Sequence, residues 1–340
     1  MVDLDVDVGY DRDDLALVRE AVAVLPVGIL IQDDKGRTVV TNDRARSPFG
    51  DLTSDALAGA ALDRTLAQAR MGETAHEVLD LRGPHSRRLE VTASPLAGGV
   101  VAVLIDATER QRLEAVRRDF VANVNHELRT PIGALGLLAE ALAGERDPAN
   151  LDRLAARITA EVERAWALIE DLLDFSRVEA YEPSRHQTVS LRAVIEAAAA
   201  RVSARAEAKA VRLDLPELPP STVYGDRDQL VMGLANLLDN AVKYSEGGTT
   251  VRVAVEEEAD SVALTVTDEG IGIPARDLDR VFERFYRVDA ARDRRTGGTG
   301  LGLAIVRHVA SNHGGTVSVE SQEGVGSAFT LRLPRREDAR

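Results

Sequence analysis

The chain has 340 residues, 44% of them hydrophobic and 29% charged, which is typical of a folded protein with about two to four domains. The 56 acidic residues outnumber the 42 basic ones, and the net charge of −14 argues against nucleic acid as a partner. The absence of cysteine excludes disulfides, thiolate catalysis and metal sites built on sulfur.

The sequence contains no apolar run that approaches the ~20 residues needed to span a bilayer. The acidic start, Met1 to Asp7, lacks the basic and apolar regions of a signal peptide. We therefore expect a cytoplasmic protein, or the cytoplasmic part of a membrane-anchored one. Contact with a membrane is expected only through an N-terminal anchor outside this sequence.

The first hundred residues mix strand and helix patterns. Residues 27–36 read as a strand that runs into a turn and residues 37–41 as a returning strand, which predicts a hairpin. Asn42 is suited to cap a short helix, and residues 52–71 predict alanine-rich short helices. Further strands are predicted at residues 77–81, 88–93 and 100–106. Together they predict a small α+β domain.

From Ala107 to Ala143 apolar residues recur at steps of three and four, which predicts a long helix. A turn at residues 144–148 separates it from a second helix that runs to about Ala180. Two helices joined by a short turn form an antiparallel hairpin, and a lone hairpin buries too little apolar surface. We expect two copies to form a four-helix bundle in a homodimer. The alternative is that both helices pack on a neighbouring domain of the same chain.

The first of these helices places an imidazole beside a carboxylate, His126 next to Glu127. Thr130 lies four residues on, and Pro131 follows where a helix can bend. A histidine with a carboxylate neighbour can lose its proton while it attacks an electrophile, which makes it a nucleophile. An ordinary solvated His–Glu pair gives the same pattern, so this stretch alone does not distinguish a nucleophile from a surface pair.

Residues 190–336 alternate helices (191–209, 227–244 and 300–313) with strands (250–256, 261–267, 316–321 and 327–333), which predicts a layered α/β domain. In its second helix Asn236 and Asn240 are four residues apart and share a face, with Lys243 on the same side. Side-chain carbonyls suit Mg²⁺, and a lysine suits phosphate. A solvated polar face is the alternative for this segment taken alone.

Two glycine-containing segments follow. Asp268 ends a strand and precedes two glycines that permit close approach of the backbone, an arrangement that suits an amino-bearing ring such as adenine. The run from Gly297 to Leu303 opens the next helix and offers N–H groups to phosphate, although it matches neither a P-loop nor a Rossmann fingerprint. A plain glycine turn is the alternative at Asp268. Phe282 and Phe285 precede a charged stretch, residues 289–296, which they would anchor as a mobile lid.

In this combination the sequence resembles the sensor histidine kinases of two-component systems, whose ATP-binding domain is shared with other GHKL ATPases. The stretch around His126 is most similar to actinobacterial phosphate-responsive sensor kinases. The similar motifs are the phosphoacceptor box His126 to Pro131, the N box Asn236 to Tyr244, the G1 box Asp268 to Gly272, the F box Phe282 to Arg287 and the G2 box Gly298 to Gly302.

The resemblance implies a multidomain fold. Residues 14–106 resemble a PAS-like sensor domain of the α+β class. Residues 107–182 would be the all-α dimerisation and histidine phosphotransfer hairpin of a dimeric four-helix bundle. Residues 188–336 would be a GHKL-type ATP-binding domain with an α/β sandwich fold.

The resemblance also implies the reaction. Neutral His126 attacks the γ-phosphate of ATP with Glu127 as the base, and the phosphoryl group then passes to an aspartate on the receiver domain of a response regulator. Thr130 would position water for dephosphorylating that regulator. Asn240 with Asn236 would bind Mg²⁺. The remaining nucleotide contacts would come from Lys243, Tyr244, Asp268, Gly270, Gly272, Arg287, Gly298, Gly300, Leu301 and Gly302.

Two alternative functions remain at this point. One is a non-catalytic dimeric scaffold that binds ATP, which would be marked by loss of His126, Asn240 or Asp268, and none of these is lost. The other is a different GHKL ATPase, such as a chaperone or a DNA-repair protein, which would not need the His126 box. The signal remains open, because His76 and His85 lack an obvious haem context.

Overall fold

The computed structural model describes residue 17 and residues 20–49, 51–81, 87–180, 185–215, 221–288 and 298–335. The chain divides into two compact units, Met1–Asp119 and Phe120–Arg340. Among the residues described, no helix combines the length and the apolar character that crossing a membrane requires.

The first unit is built on an antiparallel sheet of five strands in the order β2-β1-β5-β4-β3. The predicted hairpin and the later strands are confirmed. The predicted short helices at 52–71 are wrong, because this region is one 18-residue helix that Asp51 caps by accepting the Ser54 N–H. The elements are β1 Gly28–Asp33, β2 Thr38–Thr41, α1 Asp43–Arg46, α2 Leu52–Ala69, β3 Ala75–Leu81, β4 Arg87–Leu96 and β5 Gly99–Asp106.

Asn42 fixes the start of this sheet. Its side chain caps α1 as predicted, since Oδ1 accepts the N–H of Ala45 at 3.1 Å. The same oxygen accepts the N–H of Ile29, while Nδ2 donates to the carbonyls of Val22 and Val27. A buried amide with all of these groups paired costs little to bury, and it ties three chain segments together.

The helical hairpin that follows consists of α3, Thr108–Gly144, and α4, Pro148–Glu179. Helix α3 continues through Pro131. Asp147 caps α4 by accepting the N–H of Ala149, and Pro148 occupies the first helical turn, where its missing N–H costs nothing. The predicted hairpin is therefore confirmed.

The predicted α/β domain is also confirmed. Its five-stranded sheet has the order β11-β12-β10-β9-β7, and only the β7–β9 pair is parallel. A separate two-stranded sheet pairs β6 with β8. The elements are β6 Gln187–Ser190, α5 Leu191–Ala208, β7 Arg212–Asp214, β8 Thr222–Gly225, α6 Arg227–Tyr244, β9 Thr250–Glu257, β10 Ser261–Asp268, α7 Gly302–Asn312, β11 Thr316–Gln322 and β12 Gly326–Pro334.

Helices α5, α6 and α7 and the larger sheet share one hydrophobic core, which includes Ile195, Leu234, Ile305 and Leu264. The end of α4 belongs to the same core through Phe175 and Val178, which are fully buried. This end of the hairpin therefore packs on the neighbouring domain of the same chain, which was one of the two alternatives for the helices.

Candidate active site

Helix α6 presents one polar and one apolar face. Asp226 caps it by accepting the N–H groups of Asp228 and Gln229 at 2.9 and 3.2 Å. Leu237 and Leu238 are fully buried in the core. On the other face the side chains of Asn236, Asn240, Lys243 and Tyr244 are half-buried. The amphipathic pattern thus fixes the rotation of the helix and brings its polar groups to one surface.

The start of α7 lies against the two asparagines. A Cβ added to Gly302 would lie 2.7 Å from Oδ1 of Asn236 and 3.7 Å from Nδ2 of Asn240. The Asn236 amide is held in place because its Nδ2 donates to the Met232 carbonyl at 3.0 Å. The structure therefore brings the beginning of a helix, with its unpaired N–H groups, beside two amide side chains from another helix.

Lys243 reaches the glycine-rich loop, which we define as Gly298–Gly302. A Cβ on Gly298 would collide with its ammonium nitrogen. That nitrogen also lies 3.1 Å from the Tyr244 hydroxyl and 4.7 Å from the centre of the Tyr244 ring. A positive charge beside a glycine-rich main chain that leads into a helix makes this loop suitable for an anion such as phosphate.

The aromatic segment before the loop supports it through the main chain. The N–H of Phe285 donates to the Gly300 carbonyl at 2.9 Å. Both residues have positive φ, +62° for Phe285 and +74° for Gly300. Phe282 is buried and its ring meets Phe329 edge-on. Leu301 is fully buried and anchors the loop from within. The lid predicted at residues 289–296 lies outside the described residues.

Asp268 is buried at the end of β10. Its Oδ1 accepts the N–H of Gly270 at 2.8 Å and of Ser327 at 3.3 Å. Burial raises the pKa of its carboxyl, and these two hydrogen bonds oppose that effect. Among the described residues both hydrogen bonds to this carboxylate are made to Oδ1. A Cβ on Gly270 would lie 2.7 Å from the Tyr244 carbonyl, so this glycine is also required for packing.

His126 is highly accessible, with its side chain 78% exposed on α3. Its Nδ1 lies 3.9 Å from Oε1 of Glu127, whose Oε2 lies 3.9 Å from Nη1 of Arg287. Both separations are too long for hydrogen bonds. The Thr130 hydroxyl donates to the His126 carbonyl at 3.3 Å. Glu127 thus stands between the imidazole and an arginine of the α/β domain.

A cluster that sequence reasoning missed surrounds Arg284. Its guanidinium lies 3.4 Å from Oε1 of Glu179 and 3.2 Å from Nε2 of His308, and it covers the Phe175 ring at 4.6 Å. Burial lowers the pKa of His308, and the charge of Arg284 adds to that effect. The cluster joins α4 to α7. Its members are distant in the sequence, so no local pattern signals it.

A second missed contact joins the glycine-rich loop to α4. The Thr299 hydroxyl donates to Oδ2 of Asp171, and the Thr299 oxygen accepts the N–H of Leu301 at 3.2 Å. Burial raises the pKa of the Asp171 carboxyl, and the hydrogen bond from Thr299 opposes that effect. The loop is therefore held by a carboxylate of the helical hairpin.

The described residues contain no cluster of three or more acidic, histidine or cysteine side chains that could hold a metal ion by themselves. The amide side chains of Asn236 and Asn240 instead lie against Gly302, the last residue of the glycine-rich loop. Amide oxygens suit Mg²⁺ when phosphate oxygens and water supply the other ligands.

Two family descriptions match the chain. "His Kinase A (phospho-acceptor) domain" matches residues 116–181, and "Histidine kinase-, DNA gyrase B-, and HSP90-like ATPase" matches residues 225–337.

Known proteins are similar over longer stretches. The chain is 37% identical over 332 residues to the sensor-like histidine kinase SenX3 of Mycolicibacterium smegmatis, covering 95% of this chain and 86% of that protein. It is 39% identical over 251 residues to the sensor histidine kinase WalK of Bacillus subtilis, covering 71% of this chain and 40% of that protein. Its fold is similar to that of the histidine kinase ThkA, solved in complex with the response regulator protein TrrA. This match has a TM-score of 0.55 and 21% identity, and it covers 93% of this chain and 98% of that one.

Proposed function

The chain belongs to the sensor histidine kinases of two-component systems, and we propose that His126 is the residue that it phosphorylates. The observation that carries this assignment is that His126 is the single histidine within residues 116–181, the stretch that matches the phosphoacceptor family. Its high exposure supports the assignment, because an incoming nucleotide must reach the ring.

The geometry around His126 supports different roles for its two ring nitrogens. Nδ1 lies 3.9 Å from Oε1 of Glu127, so a short approach of the carboxylate would let it hold the proton on Nδ1 and leave Nε2 as the nucleophile. Nε2 then attacks the γ-phosphorus of ATP. A P–N bond forms while the bond to the oxygen bridging the β- and γ-phosphates breaks, and ADP leaves. Arg287 approaches the same carboxylate and would meet the charge of the transferring group.

The nucleotide would lie between α6, the end of β10 and the glycine-rich loop. Asp268 would accept a hydrogen bond from the adenine amino group, beside Tyr244, Gly270 and Gly272. Lys243 and the loop N–H groups would meet the phosphates at Gly298, Gly300, Leu301 and Gly302. Asn236 and Asn240 would hold Mg²⁺, which supplies positive charge to the phosphate oxygens when bound.

The phosphoryl group would pass from His126 to an aspartate of a response regulator. Thr130 is exposed one helical turn from His126, and its hydroxyl points back along α3 toward the His126 carbonyl. We infer that it orients the water which dephosphorylates the regulator. The same surface of α3 would thus serve both phosphoryl transfer to the regulator and dephosphorylation of the regulator.

A second copy of the chain would complete the helical hairpin as a four-helix bundle. Large apolar side chains stand exposed along α3 and α4, including Ile132 at 62%, Leu137 at 70% and Trp166 at 60%. Burying such side chains is the main gain of helix association in water. The domains would be residues 107–182 for the bundle and 188–336 for ATP binding. A PAS-like sensor domain at 14–106 is supported by its five-stranded antiparallel sheet.

The deciding experiment is incubation of the purified chain with γ-labelled ATP and Mg²⁺, followed by a test of the label for acid lability. We expect acid-labile label on the wild-type chain and none on His126→Ala. His76→Ala is the matched control, because His76 is exposed in the first unit, where its Nδ1 lies 3.0 Å from the Thr92 hydroxyl, so it should label normally. Label that persists in His126→Ala would overturn the assignment, and nucleotide binding without any label would favour the scaffold alternative.

A further inference from the structure

Asp171 of α4 is bonded to the loop that we assign to the phosphates of ATP. It accepts the Thr299 hydroxyl, and that hydroxyl oxygen in turn accepts the N–H of Leu301. The side-chain oxygen and one of the main-chain N–H groups of the loop are therefore already engaged. A carboxylate from the helical hairpin holds the position from which a phosphate oxygen would use them.

The charged groups near Asp171 also indicate that its carboxylate would compete with a phosphate. Its carboxyl interacts favourably with Lys243 and unfavourably with Asp174 and Asp239. Lys243 also lies against Gly298, the loop residue next to Thr299. The Asp171 carboxylate and a polyphosphate would thus draw on the same positive groups, and two anions in this partly buried space repel each other.

We propose that Asp171 is an autoinhibitory residue, whose carboxylate stands in for a phosphate oxygen at Thr299 and keeps the glycine-rich loop docked on α4 until ATP displaces it. This inference rests on the proposed assignment of the loop to the phosphates. It gives ATP two effects at once, because the phosphates that fill the loop also break its link to the hairpin. A loop released from α4 is free to carry the γ-phosphate toward His126.

The test is the affinity of Asp171→Asn for a non-hydrolysable ATP analogue with Mg²⁺, measured by titration calorimetry. Asparagine keeps the shape and an acceptor for Thr299 but removes the charge. We expect about 3- to 10-fold tighter binding than wild type, and a difference that shrinks as salt is raised. Autophosphorylation should show a lower KM for ATP with kcat changed by less than about twofold. The matched control is Asp174→Asn on the same helix, whose carboxylate pairs with Arg177 instead of the loop.

Unchanged or weaker binding by Asp171→Asn would overturn the proposal. A gain of equal size in Asp174→Asn would do the same, since it would reflect the general charge of α4. Failure of both the wild type and the variant to bind the analogue would instead remove the proposed nucleotide site itself, and the inference with it.

Discussion

Phe120 of α3 packs against Phe285 with their ring centroids 5.7 Å apart, so the helix that carries His126 contacts the segment that holds the glycine-rich loop. The same Phe120 ring lies 5.4 Å from Phe175 of α4. One aromatic side chain thus joins both helices of the hairpin to the ATP-binding domain, six residues before His126. A displacement of α3 at this level must move Phe285 or lose the contact.

Phe120→Ala should loosen this junction. Removing a half-buried aromatic ring leaves a cavity between Phe175 and Phe285, and we expect a loss of about 1–3 kcal/mol in the free energy of unfolding. Urea denaturation followed by circular dichroism measures it. Arg117→Ala, an exposed change on the same helix, should stay within about 0.5 kcal/mol of wild type. Equal stability of the two variants would mean that the Phe120 contacts contribute nothing.

The domain junction should weaken in mild acid because of His308. Burial, with the charge of Arg284, lowers the pKa of His308 in the folded chain below its ordinary 6.5. The unfolded chain therefore binds more protons than the folded one below pH 6.5, so the stabilisation is complete above that pH and is lost as the pH falls. Unfolding measured from pH 7.5 to 5.5 should show a smaller loss of stability in His308→Gln than in wild type. Parallel curves for the two proteins would contradict the prediction.

Asp268→Asn should raise the stability of the chain while it weakens nucleotide binding. Burial raises the folded pKa of Asp268 above its ordinary 3.8, so its contribution to stability is present below pH 3.8 and is lost as the pH rises through the folded pKa. At pH 7 the neutral amide should therefore raise the melting temperature of the nucleotide-free chain. Loss of the charged acceptor should weaken ATP binding by about 10- to 100-fold. A destabilised variant that binds ATP normally would contradict both expectations.

Gly302→Ala should damage the ATP site by crowding. The new Cβ would lie 2.7 Å from Oδ1 of Asn236, which cannot retreat freely because its amide is bonded to Met232. We expect at least about tenfold weaker ATP binding by calorimetry. Gly59→Ala is the control, since that glycine lies inside α2 with open space around it. The control should gain about 0.5–1 kcal/mol of stability from helix propensity and keep its ATP affinity.

Thr130→Ala should retain autophosphorylation and lose most of the regulator dephosphorylation. The change removes only a hydroxyl whose bond runs to the carbonyl of its own helix, so the fold should be unaffected. Thr159→Ala is a matched control on α4, where Thr159 makes the same kind of bond to Ala155. Dephosphorylation of a labelled regulator in time courses distinguishes them. Identical rates for both variants would show that Thr130 has no part in hydrolysis.

The sequence predicted the elements whose patterns repeat over several turns or strands. Helices α3, α4 and α6 have long apolar stripes, and the cap at Asn42 depends on residues within one turn. The strands β6, β7 and β8 were not predicted, because each has only three or four residues and offers too little alternation to recognise. Helix α2 was divided in error since its alanines leave the apolar face poorly marked.

In the candidate site, too, the sequence predicted residues within local motifs but not contacts between distant elements. Motif residues such as Asn236, Asn240 and Lys243 could be selected from local spacing, and the structure places them beside the glycine-rich loop. The bonds from Asp171 to Thr299 and from Glu179 to Arg284 could not, because they depend on how the hairpin docks on the α/β domain. A lone aspartate or arginine on a helix surface gives no sign of such a partner.

Phe285 has a positive φ, so the segment that contacts the glycine-rich loop contains a strained residue. A bulky residue in this region of backbone space stores about 1–3 kcal/mol of conformational energy. Two neighbours hold it there, the Gly300 carbonyl through the main chain and Phe120 through the ring. Loss of either restraint would let the Phe285 backbone relax, so we expect a displacement of α3 to change the position of the loop. Phe285 thus links α3, through its ring, to the glycine-rich loop, through its main chain.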